Sequence, residues 1–218
     1  MSSIPAPPRP PVRFAFSTAA DGDLRDSREN RERFARRVGA PLQWAELHQI
    51  HGASVLEASG PGHLGNGDAL FTRERGLALA VFVADCVGLV VEANSGVGLA
   101  HAGWRGAAAG VVRSLIDRMT AAGLEPVAAH LSPFIGACCF EVGLEVAAQF
   151  PDATAATSAG GVSVDLSKAI ASQLPMPLDS GPGCTYHDES FLSHRRMSPE
   201  VGLENVGRMV ALGWLEPT

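Results

Sequence analysis

An α+β fold, with mixed β-sheets flanked by helices in one domain, is what three features of this 218-residue chain predict. Leu79-Ala80-Val81-Phe82-Val83 and Leu89-Val90-Val91 are apolar runs of strand length, and a third run leads to His101. Residues 27–38 and 107–122 instead repeat apolar side chains at helical spacing and are followed by Gly39 and Gly123. With 46% apolar residues and no internal repeat or heptad pattern, the chain can build one substantial core.

Taken in order, residues 1–11 carry neither the apolar core nor the basic start of a secretory signal and are expected to form a loose arm, leaving 12–218 as the domain. Residues 12–17 alternate as a first strand, and 18–26 have the Asp and Gly of a loop. Ser27 can cap a helix to Val38 with Phe34 and Val38 inward. Residues 42–47 read as a strand, 55–58 as its continuation after a turn at His51-Gly52, and 61–67 as a glycine-rich loop. In the helix over 107–122, Val112, Leu115, Ile116 and Met119 form the inner face, while Arg113 and Asp117 lie four apart outside. A strand over 127–131, a tight turn over 132–136 and a helix over 141–150 with Val142, Val146 and Phe150 on one face follow. Residues 151–161 read as a surface linker, 162–166 as a strand, 167–174 as a helix and 197–206 as an enlarged loop.

Composition excludes several classes of function. The net charge of −6 argues against a nucleic-acid binder, which needs a basic face to neutralise phosphates. The longest apolar stretch, 77–91, is cut by Asp85 and falls short of the roughly 20 residues of a membrane-spanning helix. Of the four cysteines, adjacent Cys138 and Cys139 do not suit a disulfide framework and read as small buried hydrophobes; reduced thiols and a cytoplasmic location are expected.

The chemistry concentrates between residues 77 and 119. Asp85 and Cys86 interrupt otherwise apolar strands, and a buried carboxylate requires partners. A metal ion or a hydrogen-bonded catalytic group would supply them, since the fifteen-residue step from Cys86 to His101 allows a hairpin return to one sheet end. His51 is a further candidate donor, although a lone histidine near a strand end is more often an ordinary hydrogen-bonded residue, the reading kept for His48. Asp68 reads equally as a turn cap or as an acceptor that orients His51 or a substrate hydroxyl. The Gly103-Trp104-Arg105-Gly106 stretch suits an anion at a helix start, or a packing Trp104 with Arg105 paired to a carboxylate. Arg195 and Arg196 either bind an anion or pair with carboxylates at a rim.

QIHG at 49–52, GDAL at 67–70, ADC at 84–86, HAGWRG at 101–106, SPFIGACCFEVG at 132–143, CTY at 184–186, FLSHRR at 191–196 and GRM at 207–209 together resemble the YfiH-type laccase-domain family. That family is also called multicopper polyphenol oxidase, and its members are described as zinc-dependent purine nucleoside enzymes. The resemblance implies a Zn²⁺ ion on His51, Cys86 and His101 with a fourth position open, and Asp85, Cys86 and His101 as the catalytic group, Asp85 carrying protons or orienting a ligand. It further implies Asp68, Arg105, Gly106 and Arg195 as substrate- and phosphate-binding residues. The implied reactions are phosphorolysis of adenosine, inosine and methylthioadenosine, and deamination of adenosine, with a purine nucleoside and phosphate as partners. Two positions depart from the family pattern: Ala19 stands where relatives carry an arginine, and Ser132 where they commonly carry glycine. Copper fits less well than zinc, because seven histidines cannot furnish a blue-copper site and further copper clusters. The competing functions are a metal-free Cys86-His101 hydrolase acting on a cell-wall precursor amide, and a non-catalytic binding module with a structural metal.

Overall fold

Two β-sheets face each other, and both outer faces are covered by helices, so the central strands are apolar on both sides and show no alternation. The computed structural model describes residues 12–202 and 205–217. The expected arm over 1–11 lies outside the described residues.

The first sheet runs in the order β1 (Val12–Phe16), β13 (Met209–Leu215), β6 (Ala78–Val83), β2 (Trp44–His48) and β4 (Gly62–Asn66). The second runs β12 (Leu178–Asp179), β9 (Pro126–Leu131), β7 (Val87–Ala93), β8 (Gly96–Ala102), β5 (Ala69–Thr72) and β3 (Val55–Glu57). Both are mixed: β2 is parallel to β4 and β6, β3 to β5 and β12 to β9, while the remaining pairs are antiparallel. A separate pair, β10 (Thr154–Ala156) with β11 (Val162–Val164), stands to one side.

The period-two geometry of each strand assigns its side chains to layers. On β6, Leu79 and Val81 point between the sheets to meet Leu47, Val90 and Leu99. Ala78, Ala80 and Phe82 point outward beneath α1 (Arg28–Val38), where Phe34 is fully buried. On β7, Leu89 and Val91 turn the other way, under α3 (Val111–Ala121) and its residues Val112, Leu115 and Met119. Burying a side chain such as Phe34 contributes about 1.5–3 kcal/mol. The Ser27 hydroxyl accepts from the Asn30 amide to cap α1, and Gly39 closes it in the left-handed conformation, as the sequence predicts.

Several elements differ from expectation. The strand β3 does not continue β2 but joins the other sheet, because the backbone reverses at His51, whose φ is 60°. Residues 61–67 are not all loop: β4 pairs at a sheet edge, where weak patterning suffices. The predicted helix over 107–122 is two helices, α2 (Trp104–Ala108) and α3, separated by Gly110 in the left-handed region. The predicted helix over 141–150 shrinks to α4 (Leu144–Ala147), because Glu141 bridges Ser163 and the Val142 amide donates to the Val162 carbonyl. The expected linker holds a 3₁₀ turn (Pro151–Ala153) and β10. A capped α5 (Leu166–Ala171) follows β11, and α6 (His194–Val201) occupies part of the expected loop over 197–206, of which 203 and 204 lie outside the described residues.

Candidate metal centre

One end of the sandwich gathers the polar residues. Strand register places Gly88 opposite His101, Ala69 opposite Ala100, Leu89 opposite Leu131 and Val83 opposite Met209. Asp68, the 84–86 connection, His101 and the 132–135 turn therefore emerge together.

His51, Cys86 and His101 meet there, with one ligand atom from each lying within 4.8 Å of the others. His101 is buried at the end of β8, Cys86 is half-buried just before β7, and His51 is exposed on the 49–54 turn. The two imidazoles stand edge to face with centroids 4.9 Å apart.

Asp68 assembles this arrangement. Its carboxylate accepts from the backbone amides of Ile50 (3.2 Å), His51 (2.9 Å) and Gly52 (2.7 Å), holding the turn that carries His51. One of its oxygens also meets His101 Nδ1 at 2.9 Å, which leaves Nε2 as the donor available to an ion. Asp68 is 0% exposed and its oxygens are enclosed by these protein donors, surroundings that suit the orienting acceptor weighed for it.

Burial by itself would raise the Cys86 pKa, but the imidazoles of His101 and His51 outweigh it and bring the thiol down to about 6. Burial would lower His101, yet the Cys86 sulfur and the Asp68 carboxylate lift it to about 9. Asp68 itself is lowered: burial opposes ionisation, while His101 and the backbone amides favour it more strongly. Without an ion the three groups thus favour a thiolate beside an imidazolium. A soft, thiolate-binding cation would take the imidazolium's place.

Space for such an ion is built in. At Gly103, which caps α2, an added Cβ would lie 2.7 Å from Cys86 Sγ and 3.5 Å from the His51 ring. A donor set of two imidazoles and one thiolate, a carboxylate behind one imidazole and a glycine cradle all fit a zinc-type ion with a fourth position open.

Beside the three donors opens a cavity of about 630 Å³. Asp85 lies on its wall, its carboxylate accepting from Thr185 Oγ1 at 2.6 Å and from the Arg195 amide at 2.6 Å. Its φ of 79°, like that of His51, falls where non-glycine residues are strained, at a cost of about 1–3 kcal/mol each. These bonds tie the residues around α6 to the 84–86 connection.

Of the five arginines on the cavity wall, four are engaged. Arg25 pairs with Asp26, Arg31 with Glu46, Arg195 with the Glu141 carbonyl and Arg208 with the carbonyls of Val206 and Gly207. Arg105 instead stacks over the Trp104 ring at 4.3 Å, and among the described residues it has no hydrogen-bond or ion-pair partner. The carboxylate pairing weighed for Arg105 is therefore absent there. Gly106 is the third residue of α2, buried in its first turn, and is not among the residues that line the cavity; a Cβ there would approach the Gly52 and His101 carbonyls at 3.2 and 3.3 Å.

Arg196 is a clamp, donating to the carbonyls of Thr185, Tyr186 and Phe191. His48 reaches the cavity rim beside His63, which sequence reasoning missed along with Arg25 and Arg31, none of them in the motifs that carry the resemblance; Arg208, within GRM at 207–209, also lines the cavity and was given no role. Ser132, the departure from glycine, is fully buried and accepts from the Gly88 amide at 2.8 Å. Ala19 is half-buried, donates its amide to the Ser190 carbonyl and lies away from the cavity wall.

The family model described as "Multi-copper polyphenol oxidoreductase laccase" matches residues 11–216. The chain belongs to this laccase-domain family. Its relatives include a protein named purine nucleoside phosphorylase from Streptomyces griseus, 35% identical over 86% of this chain and 80% of that one. Another of that name, from Pseudomonas aeruginosa, is 34% identical over 90% of this chain and 83% of its own length. Among solved structures, YlmD from Geobacillus stearothermophilus is similar with a TM-score of 0.80 and 28% identity, covering 97% of this chain and 94% of that one. The YfiH protein of Bacillus licheniformis has the same fold, with a TM-score of 0.80. The expected YfiH-like resemblance and fold are thus borne out. No helix among the described residues is long and apolar enough to cross a membrane.

Proposed function

We propose that this laccase-domain protein is a zinc-dependent purine nucleoside enzyme that cleaves adenosine, inosine and methylthioadenosine with phosphate and deaminates adenosine. The observation that carries the reading is the three-donor centre of His51, Cys86 and His101 opening onto a cavity of nucleoside size, with the unpartnered Arg105 on its wall. The names of the relatives support the same reading.

A zinc ion on these three residues supplies a Lewis acid with one open position. Zinc is favoured over copper because a blue-copper site adds a weak axial ligand to its two imidazoles and thiolate. No methionine lines the cavity, and Gln49, which does, has its amide nitrogen and oxygen both bonded to the Phe82 backbone.

In phosphorolysis, Arg105 holds the phosphate dianion, with Arg195 beside it. A phosphate oxygen bonds to the ribose anomeric carbon as the bond to the base breaks, and the base leaves with a proton. Trp104 and Phe140 offer the cavity wall its aromatic faces for the purine. In deamination, water adds at the purine C6 and ammonia departs; Asp85 takes the proton from water and returns it to the leaving amine. Thr185 and the Arg195 amide keep the Asp85 carboxylate in place for that transfer.

The test is incubation of zinc-replete protein with adenosine, with and without phosphate, and separation of products. Adenine and ribose 1-phosphate are expected only with phosphate, and inosine under both conditions. Absence of all three at millimolar substrate overturns the reading.

A further inference from the structure

A second group of soft donors lies outside the site described above. Cys138 and Cys139 sit on the turn after β9, and Cys184 and His187 sit 45 or more residues later on the turn before α6. One ligand atom from each of the four lies within 4.8 Å of the other three. Cys139 Sγ is 3.1 Å from His187 Nε2, and Cys138 Sγ is 3.8 Å from His187 Nδ1. The three cysteines are free thiols.

We propose that Cys138, Cys139, Cys184 and His187 form a second metal site that takes a soft divalent cation of the zinc class. Three thiolates and one imidazole complete a tetrahedron, so this site is closed and structural, with no position left for a reactant.

Local backbone supports the reading. Cys184 and His187 are three apart, a ligand spacing that one tight turn provides, and the Asp188 amide closes that turn on the Cys184 carbonyl. The Gly136 amide donates to Cys184 Sγ at 3.2 Å, the kind of outer bond that orients a metal-bound thiolate. Gly136 also keeps the centre open, because a Cβ there would stand 3.2 Å from Cys138 Sγ and 3.3 Å from Cys184 Cβ. Phe134 and Cys184 bridge the two turns through their backbones. Binding would release the thiol protons and replace three mutually crowded S–H groups with bonds to one ion.

The site also has a location that matters. Thr185, next to Cys184, is the residue that donates to Asp85, and Phe140, next to Cys139, lines the main cavity. Arg195 borders both the cavity and this cluster. An ion here pins the turn that lends Phe140 to the cavity wall to the turn whose Thr185 holds Asp85.

The proposal is independent of the enzymatic reading and is tested by counting metal. Protein purified without chelator and analysed by elemental mass spectrometry should hold two ions per chain. Cys86→Ala should hold one, and so should Cys139→Ser. After replacement by cobalt(II), Cys86→Ala should keep an intense thiolate-to-cobalt absorption, and Cys139→Ser should lose most of it. His187→Ala, an exposed position that folding tolerates, should weaken the retained ion at least tenfold in a chelator competition. The proposal fails if folded Cys86→Ala binds no ion, if Cys138, Cys139 and Cys184 all react with a thiol reagent at full metal load, or if two of them are joined as a disulfide in the purified protein.

Discussion

The two donor clusters draw on the same chemistry, thiolate and imidazole, yet they are built differently. His51, Cys86 and His101 number three; Cys86 and His101 stand at the ends of buried strands, His51 on the facing turn, and the enclosed carboxylate of Asp68 holds both His101 and that turn. Cys138, Cys139, Cys184 and His187 number four, sit on half-buried to exposed turns and, among the described residues, have no carboxylate hydrogen-bonded to them as Asp68 is to His101. The difference teaches that donor count and surroundings, more than donor type, divide a reactive centre from a fastening. Three donors beside a cavity leave a face for substrate, whereas four exclude it.

The sharpest way to break the contrast is Cys86→Ser. Turnover of adenosine should fall on the order of 10³-fold or more, since Lewis-acid stabilisation is worth several kcal/mol, while the cobalt absorption of the four-donor cluster persists. Equal loss of both ions would mean that the clusters are not separate.

Asp68→Asn should follow in size. The amide cannot accept from three backbone N–H groups and from His101 as the carboxylate does. Affinity for the three-donor ion should drop about 10–100-fold with the second ion unaffected, as read by competition against a fluorescent zinc chelator.

Arg105→Ala separates the two reactions at the three-donor centre. The KM for phosphate should rise roughly tenfold, equivalent to about 1.4 kcal/mol, and phosphate-independent formation of inosine should change little. If both reactions fall together, Arg105 holds the nucleoside and not the anion.

A graded chelator titration gives a fourth comparison. The three-donor ion should leave first, exposing Cys86 to iodoacetamide before Cys138, Cys139 and Cys184 react, as peptide mass mapping would record. A protein that carries no ion at purification yet is alkylated at Cys86 would instead favour the metal-free hydrolase.

Arg196→Ala has the smallest expected effect. Removing its bonds to the carbonyls of Thr185, Tyr186 and Phe191 should lower stability by about 1–3 kcal/mol in urea unfolding, and the metal count should not change.

The strands β6, β7 and β8 and the helix α3 are legible in the sequence because their burial leaves unbroken apolar runs or a clean helical stripe. Asp85 and Cys86 are legible for the same reason, since they interrupt such a run, whereas His51 joins Cys86 and His101 in the sequence reading through the family resemblance carried by QIHG at 49–52. The sheet change at His51 is not legible, since a left-handed histidine leaves no compositional trace. Asp68 reads ambiguously because Gly-Asp is also the signature of a turn, and only the tertiary fold reveals which donors surround it. Gly110 lies in a run of alanines that suits an unbroken helix. The four-donor cluster is missed because Cys138-Cys139 and Cys184 are far apart in the chain. The three-residue step from Cys184 to His187 is the one local signal that points to it.

Gly103 leaves so little room at the first turn of α2 that its hydrogen stands where a methyl group would press on sulfur. A single nucleotide change from a glycine to an alanine codon is therefore expected to displace Cys86 Sγ and weaken loading of the proposed ion while the fold persists, as metal analysis of Gly103→Ala would record. Genomes can be sorted on that codon, and an alanine-bearing homologue that still loads zinc would reveal a helix able to retreat.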